Sequence, residues 1–221
     1  MDFEHTGAQR FAAALNSAEV KRIADLFRDD HSPGRRLSLA DLGSVAALLR
    51  RTGVVGRIAS RLIGSAAQPV RALLLDKSPE KNWRLGWHQD RVIAVRERLD
   101  VEGFTNWSVK AGQMHVQPPH ELLARMATFR IHVDSVGTCN APLQVLAGSH
   151  SLGQLTEDRI GTLASAFDVI TCLASAGDVW AYRTAVVHAS AEQRTPGRRR
   201  VLQVDYSADD LPDGLKWQSL I

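Results

Sequence analysis

The sequence predicts an α+β fold, a helical N-terminal layer packed against a β core, and three observations carry that expectation. Apolar residues in the first 70 positions recur at helical spacing, those after Val70 gather in short β-type runs, and turn signals separate the runs. A chain of 221 residues suffices for one domain with a buried core. Residues 1–221 are therefore expected to form a single domain, with a mainly helical layer over 1–70, a β core over 70–206 and a C-terminal tail over 207–221.

In the helical third, Phe11, Ala14 and Leu15, then Val20, Ile23 and Phe27, recur near helical spacing, and Leu39 to Ile63 continues the pattern in pieces. Thr6 with Gln9, and Asn16 with Glu19, have the spacing at which a cap residue and a side chain three positions later satisfy each other's free backbone donors. Two helix starts are expected there. Beyond Val70, strand-type runs stand at Ala72 to Leu75, Val92 to Val95, Phe129 to Val133, Val169 to Leu173, Val179 to Tyr182 and Val201 to Tyr206. Between them lie Ser78-Pro79, Pro118-Pro119, Asn140-Ala141-Pro142, Gly148-Ser149, Ala176-Gly177-Asp178 and Thr195-Pro196-Gly197, all turn formers. Many short strands so separated suggest a sandwich or barrel.

Composition excludes some function classes. With 44% hydrophobic and 23% charged residues and no apolar run near the roughly 20 residues of a membrane helix, no membrane partner is expected. Met1 to Arg10 has no apolar core of a secretory signal, which points to the cytoplasm. The net charge of +3 is scattered apart from Arg35-Arg36 and Arg198-Arg199-Arg200, and no basic face interleaved with aromatics can be built, so nucleic acid is not an expected partner. Cys139 and Cys172 lie in no CxxC arrangement and read as reduced thiols.

The sharpest local signal is Trp87-His88-Gln89-Asp90. In an extended segment residues two apart share a face, so His88 and Asp90 can present a ring nitrogen and a carboxylate oxygen to one point while Gln89 turns away. His188, far along the chain, is a third candidate ligand; two histidines and one carboxylate form the facial triad of non-haem iron(II) oxygenases, which leaves positions open for catalysis. The pattern alone is weak, because His132-Val133-Asp134 repeats it and on spacing could take the same role with His150 or His188. That second copy also reads as a strand face of hydrogen-bonded polar side chains. His5, His31, His115, His120 and His150 show no ligand spacing.

Four stretches decide between the copies by resemblance: Trp87-His88-Gln89-Asp90; Arg130-Ile131-His132-Val133-Asp134; Asn140-Ala141-Pro142 through Gly148-Ser149-His150; and Ala176-Gly177-Asp178-Val179 through His188-Ala189-Ser190 to the arginine run. In order and spacing they resemble the phytanoyl-CoA dioxygenase family of iron(II)- and 2-oxoglutarate-dependent oxygenases, over most of residues 70–206. The resemblance implies a double-stranded β-helix (jelly-roll, cupin-like) core. It assigns iron(II) to His88, Asp90 and His188, leaves His132 and Asp134 structural, and makes 2-oxoglutarate the co-substrate. The implied reaction is hydroxylation of an unactivated C–H bond of a small organic substrate, with release of succinate and carbon dioxide. The far carboxylate of the co-substrate needs a cation, for which an arginine fork is suited; the family position corresponds to Arg199, with Arg198 and Arg200 as near alternatives. Strand alternation puts Arg199, Val201 and Gln203 on one face and Arg198, Arg200, Leu202 and Val204 on the other.

Ser190 and Gln89 resemble family positions that hydrogen-bond the co-substrate, and Trp107 resembles an aromatic wall, although packing explains Trp107 as well. Trp83, Arg84, Trp87, Arg96, Trp107 and Arg130 are candidates for the pocket mouth. Ala141 stands where the family usually has glycine and Ala147 where it usually has proline. Because Asp90 is present, oxygenation is expected over halogenation. Two rival readings are a zinc hydrolase built on the same three ligands, which has no use for Arg199, and a binding module that holds metal and 2-oxoglutarate without turnover.

Overall fold

The structure is a computed structural model and describes residues 2–27, 32 and 34–218; His31 lies outside them. In chain order the elements are α1 (Phe3–Thr6), β1 (Ala8–Phe11), α2 (Ser17–Asp25), β2 (Gly34–Arg36), α3 (Leu39–Leu42), a 3-10 turn (Gly43–Val45), α4 (Ala46–Leu49), α5 (Val54–Ile63), β3 (Gln68–Lys77), β4 (Leu85–His88), β5 (Ile93–Val95), β6 (Thr105–Lys110) and β7 (Gln113–Gln117). They continue with α6 (His120–Arg125), β8 (Ala127–His132), β9 (Leu143–Leu146), a 3-10 turn (Ser149–Leu152), α7 (Glu157–Leu163), β10 (Val169–Cys172), β11 (Val179–Arg183), β12 (His188–Ser190) and β13 (Arg199–Ser207).

A major sheet runs β1-β11-β8-β13-β3-β2 and a minor sheet β10-β9-β12-β4, with every neighbouring pair antiparallel. From β8 onward the chain passes from major to minor sheet and back repeatedly, which is the jelly roll that the family resemblance implies. A third sheet, β5-β7-β6, stands beside them. No helix among the described residues is long and apolar enough to cross a membrane.

Period-two alternation gives the major sheet two different faces. Ala72 and Leu74, Phe129 and Ile131, Val179 and Ala181, Leu202 and Val204 point outward into one apolar cluster with Ile23, Leu49, Val55 and Ile58 of the helical layer. Truncating one such buried leucine or isoleucine to alanine costs about 2–5 kcal/mol, so this contact is a principal source of stability. The opposite face carries Arg71, Lys77, Thr128, Arg130, His132, Arg199, Gln203 and Asp205, all buried. The roll thus keeps its grease outside, under the helices, and its charges inside.

Two expectations for the N-terminal third are corrected. Asn16 and Glu19 do form the reciprocal cap at the start of α2, at 3.0 and 2.9 Å. Thr6 and Gln9 do not: Asp2 caps α1, Gly7 ends it at φ +75°, and Gln9 lies in β1, drawn into strand geometry by its pairing with β11. The helical layer also contributes β2, so this third supplies both edge strands of the major sheet. Cys139 and Cys172 are free thiols, exposed and buried respectively.

Candidate active site

Pairing of β12 with β4 sets His188 opposite His88, with ring centroids 4.3 Å apart. Asp90 follows two residues beyond His88, and one ligand atom from each of the three lies within 4.8 Å of the others. These three form the metal-capable group of His, Cys, Asp or Glu among the described residues. Each histidine donates its Nδ1–H to a carbonyl two residues back, His88 to Gly86 at 2.8 Å and His188 to Val186 at 3.0 Å. That bond fixes the tautomer and leaves each Nε2 lone pair free for a metal. Burial, opposed by Asp90, pushes His188 down to about 4. Burial also works to raise Asp90, but His188, Arg71 and His88 together hold its carboxyl below the usual carboxylate range. Both groups therefore stand in their metal-binding protonation state at neutral pH.

A cavity of about 170 Å³ opens from the triad into the roll, lined by Arg71, Leu73, Leu75, Trp83, Arg130, Leu143, Ser190, Arg199 and Gln203 as well as the three ligands. Arg199, only 2% exposed, donates Nη1–H to the Ala141 carbonyl and to Ser190 Oγ at 3.3 Å. Burial, then the neighbouring Arg130 charge, lowers it to about 9. Its sequence neighbours point away and are neutralised: Arg198 grips Asp76 at 2.8 and 2.9 Å, and Arg200 grips Asp134 at 2.6 and 2.9 Å. Arg199 pairs with no described carboxylate.

Lys77, which lines neither cavity but reaches Ser190 from behind, is a residue that sequence reasoning missed. Fully buried, it donates to the carbonyls of Trp83 and Ala191, each at 2.7 Å, and to Ser190 Oγ at 3.4 Å. Burial, then Arg199 and Arg130, bring it down to about 7. Its only local signal was parity, since Arg71, Leu73, Leu75 and Lys77 alternate with Ala72 and Leu74.

Several assignments change. Gln89 lies beside the triad, but its amide is committed: Nε2 donates to Gly153 O at 3.0 Å and Ala185 O at 2.8 Å, and Oε1 accepts from Leu155 N at 2.9 Å. It braces two loops and has no donor to spare for a co-substrate. Trp107 lines neither cavity beside the triad; it packs on the cluster of Val95, Val116 and Trp217, with Arg98 over its ring at 5.7 Å, because β6 belongs to the third sheet. Arg130 is deep in the roll and not at its mouth, Arg84 and Arg96 are exposed and line neither cavity, and Trp83 lines the inner one. Trp87 lines a second cavity of about 420 Å³ with His88, Asp90, Arg91, Lys110 and Glu157. Asp134 is held by Arg200, whereas His132, expected to be hydrogen-bonded, has both ring nitrogens without a partner among the described residues and is held neutral by burial down to about 3.

The loop departures now have a geometry. Ala141 adopts φ +49°, a left-handed conformation that favours glycine. Ala147 donates its backbone N–H to Asp168 O at 2.9 Å, a bond proline could not make.

The sequence model of the phytanoyl-CoA dioxygenase family matches residues 3–201. Similar solved structures include AviO1 from Streptomyces viridochromogenes Tue57, at 18% identity and TM-score 0.65 over 96% of this chain and 94% of that one. HygX from Streptomyces hygroscopicus, solved with nickel and 2-oxoglutarate bound, is 17% identical with TM-score 0.64, covering 93% and 84%. SnoK, a non-heme alpha ketoglutarate dependent carbocyclase from nogalamycin biosynthesis, is 15% identical with TM-score 0.66, covering 94% and 82%. At such identities the likeness shows the fold. No curated protein matches the sequence. With the family pattern extending across nearly the whole chain, the protein belongs to the phytanoyl-CoA dioxygenase family.

Proposed function

We propose that the protein is an iron(II)- and 2-oxoglutarate-dependent oxygenase that hydroxylates an unactivated C–H bond of a small organic substrate. In that reaction one oxygen atom of O2 enters the product and the other enters succinate, as 2-oxoglutarate loses carbon dioxide. The observation that carries the reading is one cavity holding both a two-histidine, one-carboxylate group and a buried arginine that pairs with no carboxylate among the described residues.

The residues fit the metal. His88 and His188, each with Nδ1 held on a carbonyl, offer Nε2, Asp90 offers an ionised oxygen, and three ligands leave positions open on an octahedral ion. Bound there, iron(II) supplies the oxidising chemistry that side chains lack. Arg199 and Ser190 orient the far carboxylate of the keto acid, the guanidinium contributing charge and the hydroxyl a further hydrogen bond. Leu73, Leu75 and Leu143 keep the space between dry. The Gln89 brace ties the ligand-bearing segment to Leu155 and Ala185, fixing where His88 and Asp90 point. A zinc hydrolase would leave Arg199 without a task. HygX has been solved with hygromycin B bound, and a small organic molecule is likewise the substrate class proposed here.

Purified protein given iron(II), 2-oxoglutarate and oxygen should release succinate, and without oxygen it should develop a weak visible charge-transfer band. His88→Ala, Asp90→Ala and His188→Ala should lose iron measured anaerobically, while His132→Ala keeps it. Iron retained by His88→Ala and lost from His132→Ala would overturn the ligand assignment, and a metal-loaded protein with no band would remove the co-substrate.

A further inference from the structure

Arg130 is, after Arg199, a second buried cation lining the cavity with no carboxylate partner among the described residues, and its placement gives it a task that Arg199 cannot do. It is 5% exposed and projects inward from β8. Nη1 donates to Gln203 Oε1 at 3.1 Å, and among the described residues Nε meets no acceptor and no carboxylate forms an ion pair with it. Arg71, the neighbouring buried arginine, is by contrast neutralised by Asp205 at 2.5 Å. A buried guanidinium without a counter-ion is costly, and the cost is offset when a ligand brings the charge.

Register says which end of a ligand it meets. On β13, Arg130 stands opposite Gln203, and Arg71 stands opposite Asp205. Arg71 Nη2 is 4.0 Å from Asp90 Oδ2, so the Asp205 level of the strand is the metal end. Gln203 is one same-face step, about 7 Å, from that level and two steps, about 13 Å, from Arg199. Arg130 therefore leaves its strand nearer the metal end than Arg199 does, and its charge is felt at Asp90 as well as at Arg199.

Resting on the function proposed above, we infer that Arg130 would bind the C1 carboxylate, the keto-acid end, of 2-oxoglutarate and so fix its orientation. Arg199 then reads one end of the dicarboxylate and Arg130 the other, while Gln203 holds the Arg130 fork in plane.

Anaerobic titration of the iron(II) protein with 2-oxoglutarate and with 2-oxopentanoate, which keeps the keto-acid end and replaces the distal carboxylate by a methyl group, separates the two roles. Arg130→Gln should weaken both ligands by the same factor, tenfold or more, and shift the charge-transfer band. Arg199→Gln should weaken 2-oxoglutarate alone. Arg130→Lys, keeping the charge, should recover part of the loss, and thermal melting of each iron(II) variant checks that it is folded. Loss confined to 2-oxoglutarate in Arg130→Gln would mean that both arginines share the distal carboxylate and overturns the inference, as does a folded Arg130→Gln that binds both ligands normally. Wild-type protein that binds neither keto acid with iron in place overturns the proposed function itself, a distinct result.

Discussion

Three consecutive arginines at the start of β13 meet different partners, and the difference is testable at the level of single residues. Arg198 and Arg200 sit on acids away from the cavity, whereas Arg199 reaches into it toward Ser190. Arg199→Ala should cost about 2–5 kcal/mol in 2-oxoglutarate binding, the scale for removing one partner of a buried charge pair. Arg198→Ala and Arg200→Ala should change calorimetric affinity little, and a large loss at Arg200 with none at Arg199 would mean the assigned register is wrong. Lys77 adds a pH dependence. Its ammonium is held at about 7, below the ordinary lysine value of 10.5, first by burial and then by Arg199 and Arg130. A dicarboxylate arriving at Ser190 Oγ, 3.4 Å from Lys77 Nζ, favours the charged form, so binding takes up a proton. Affinity should therefore fall as pH rises through about 7 toward 9, and Lys77→Met should flatten the profile. For the unliganded fold the sign is opposite: between pH 7 and 10.5 the unfolded chain holds more protons, so Lys77 favours folding as pH rises. An affinity that climbs with pH in the wild type would refute the contact.

Elements show why part of the fold could be read in advance and part could not. β3, β8, β10, β11 and β13 are announced by apolar or alternating runs of four residues or more, and β13 also reveals its faces through Leu202 and Val204. β12 has three residues and the hairpin β6-β7 is largely polar, so neither offers a period to count; β1 and β2 are short strands whose geometry comes from long-range pairing. The site divides in the same way. That His88 and Asp90 stand together is legible because their relation is local, that His188 and Arg199 join them was an expectation only the family resemblance supplied, and the Gln89 brace was invisible because its partners lie 64 to 96 residues away. The loop before β9 yields a prediction of its own. Ala141 sits at φ +49°, and its carbonyl receives Arg199 Nη1 and Ser190 Oγ. Ala141→Gly relieves a left-handed strain of about 1–2 kcal/mol while loosening the unfolded chain by somewhat less, so denaturant unfolding should show a gain of about 1 kcal/mol. Affinity for 2-oxoglutarate should stay within a factor of about two, since the contact is made by backbone. A clear loss of stability would show that the loop needs the methyl group.

At the scale of the whole molecule, the charge distribution explains why the roll should depend on its ligands. The apolar faces of β3, β8, β11 and β13 are spent on the helical layer, which leaves Lys77, Arg130 and Arg199 buried inside without carboxylate partners among the described residues, and Asp90 beside His88, His188 and, at 4.0 Å, Arg71. Metal alone answers Asp90 and the histidines but adds positive charge to a cavity already rich in it. 2-Oxoglutarate alone answers the arginines but has no ion to chelate its keto acid. Each ligand therefore prepares the site for the other, and their stabilisation should exceed the sum of the separate effects. At about 100 times the dissociation constant a ligand adds about 2.7 kcal/mol, which for a chain of this length raises Tm by roughly 5–11 °C. The measurement is a melt of the protein with manganese(II) alone, 2-oxoglutarate alone and both, with manganese standing in for iron so that no turnover occurs. Both together should give the full shift and either alone much less. Arg199→Ala should abolish the synergy and leave the metal's own effect intact. Equal shifts from 2-oxoglutarate with and without metal would show that the dicarboxylate binds somewhere other than between Arg199 and the triad.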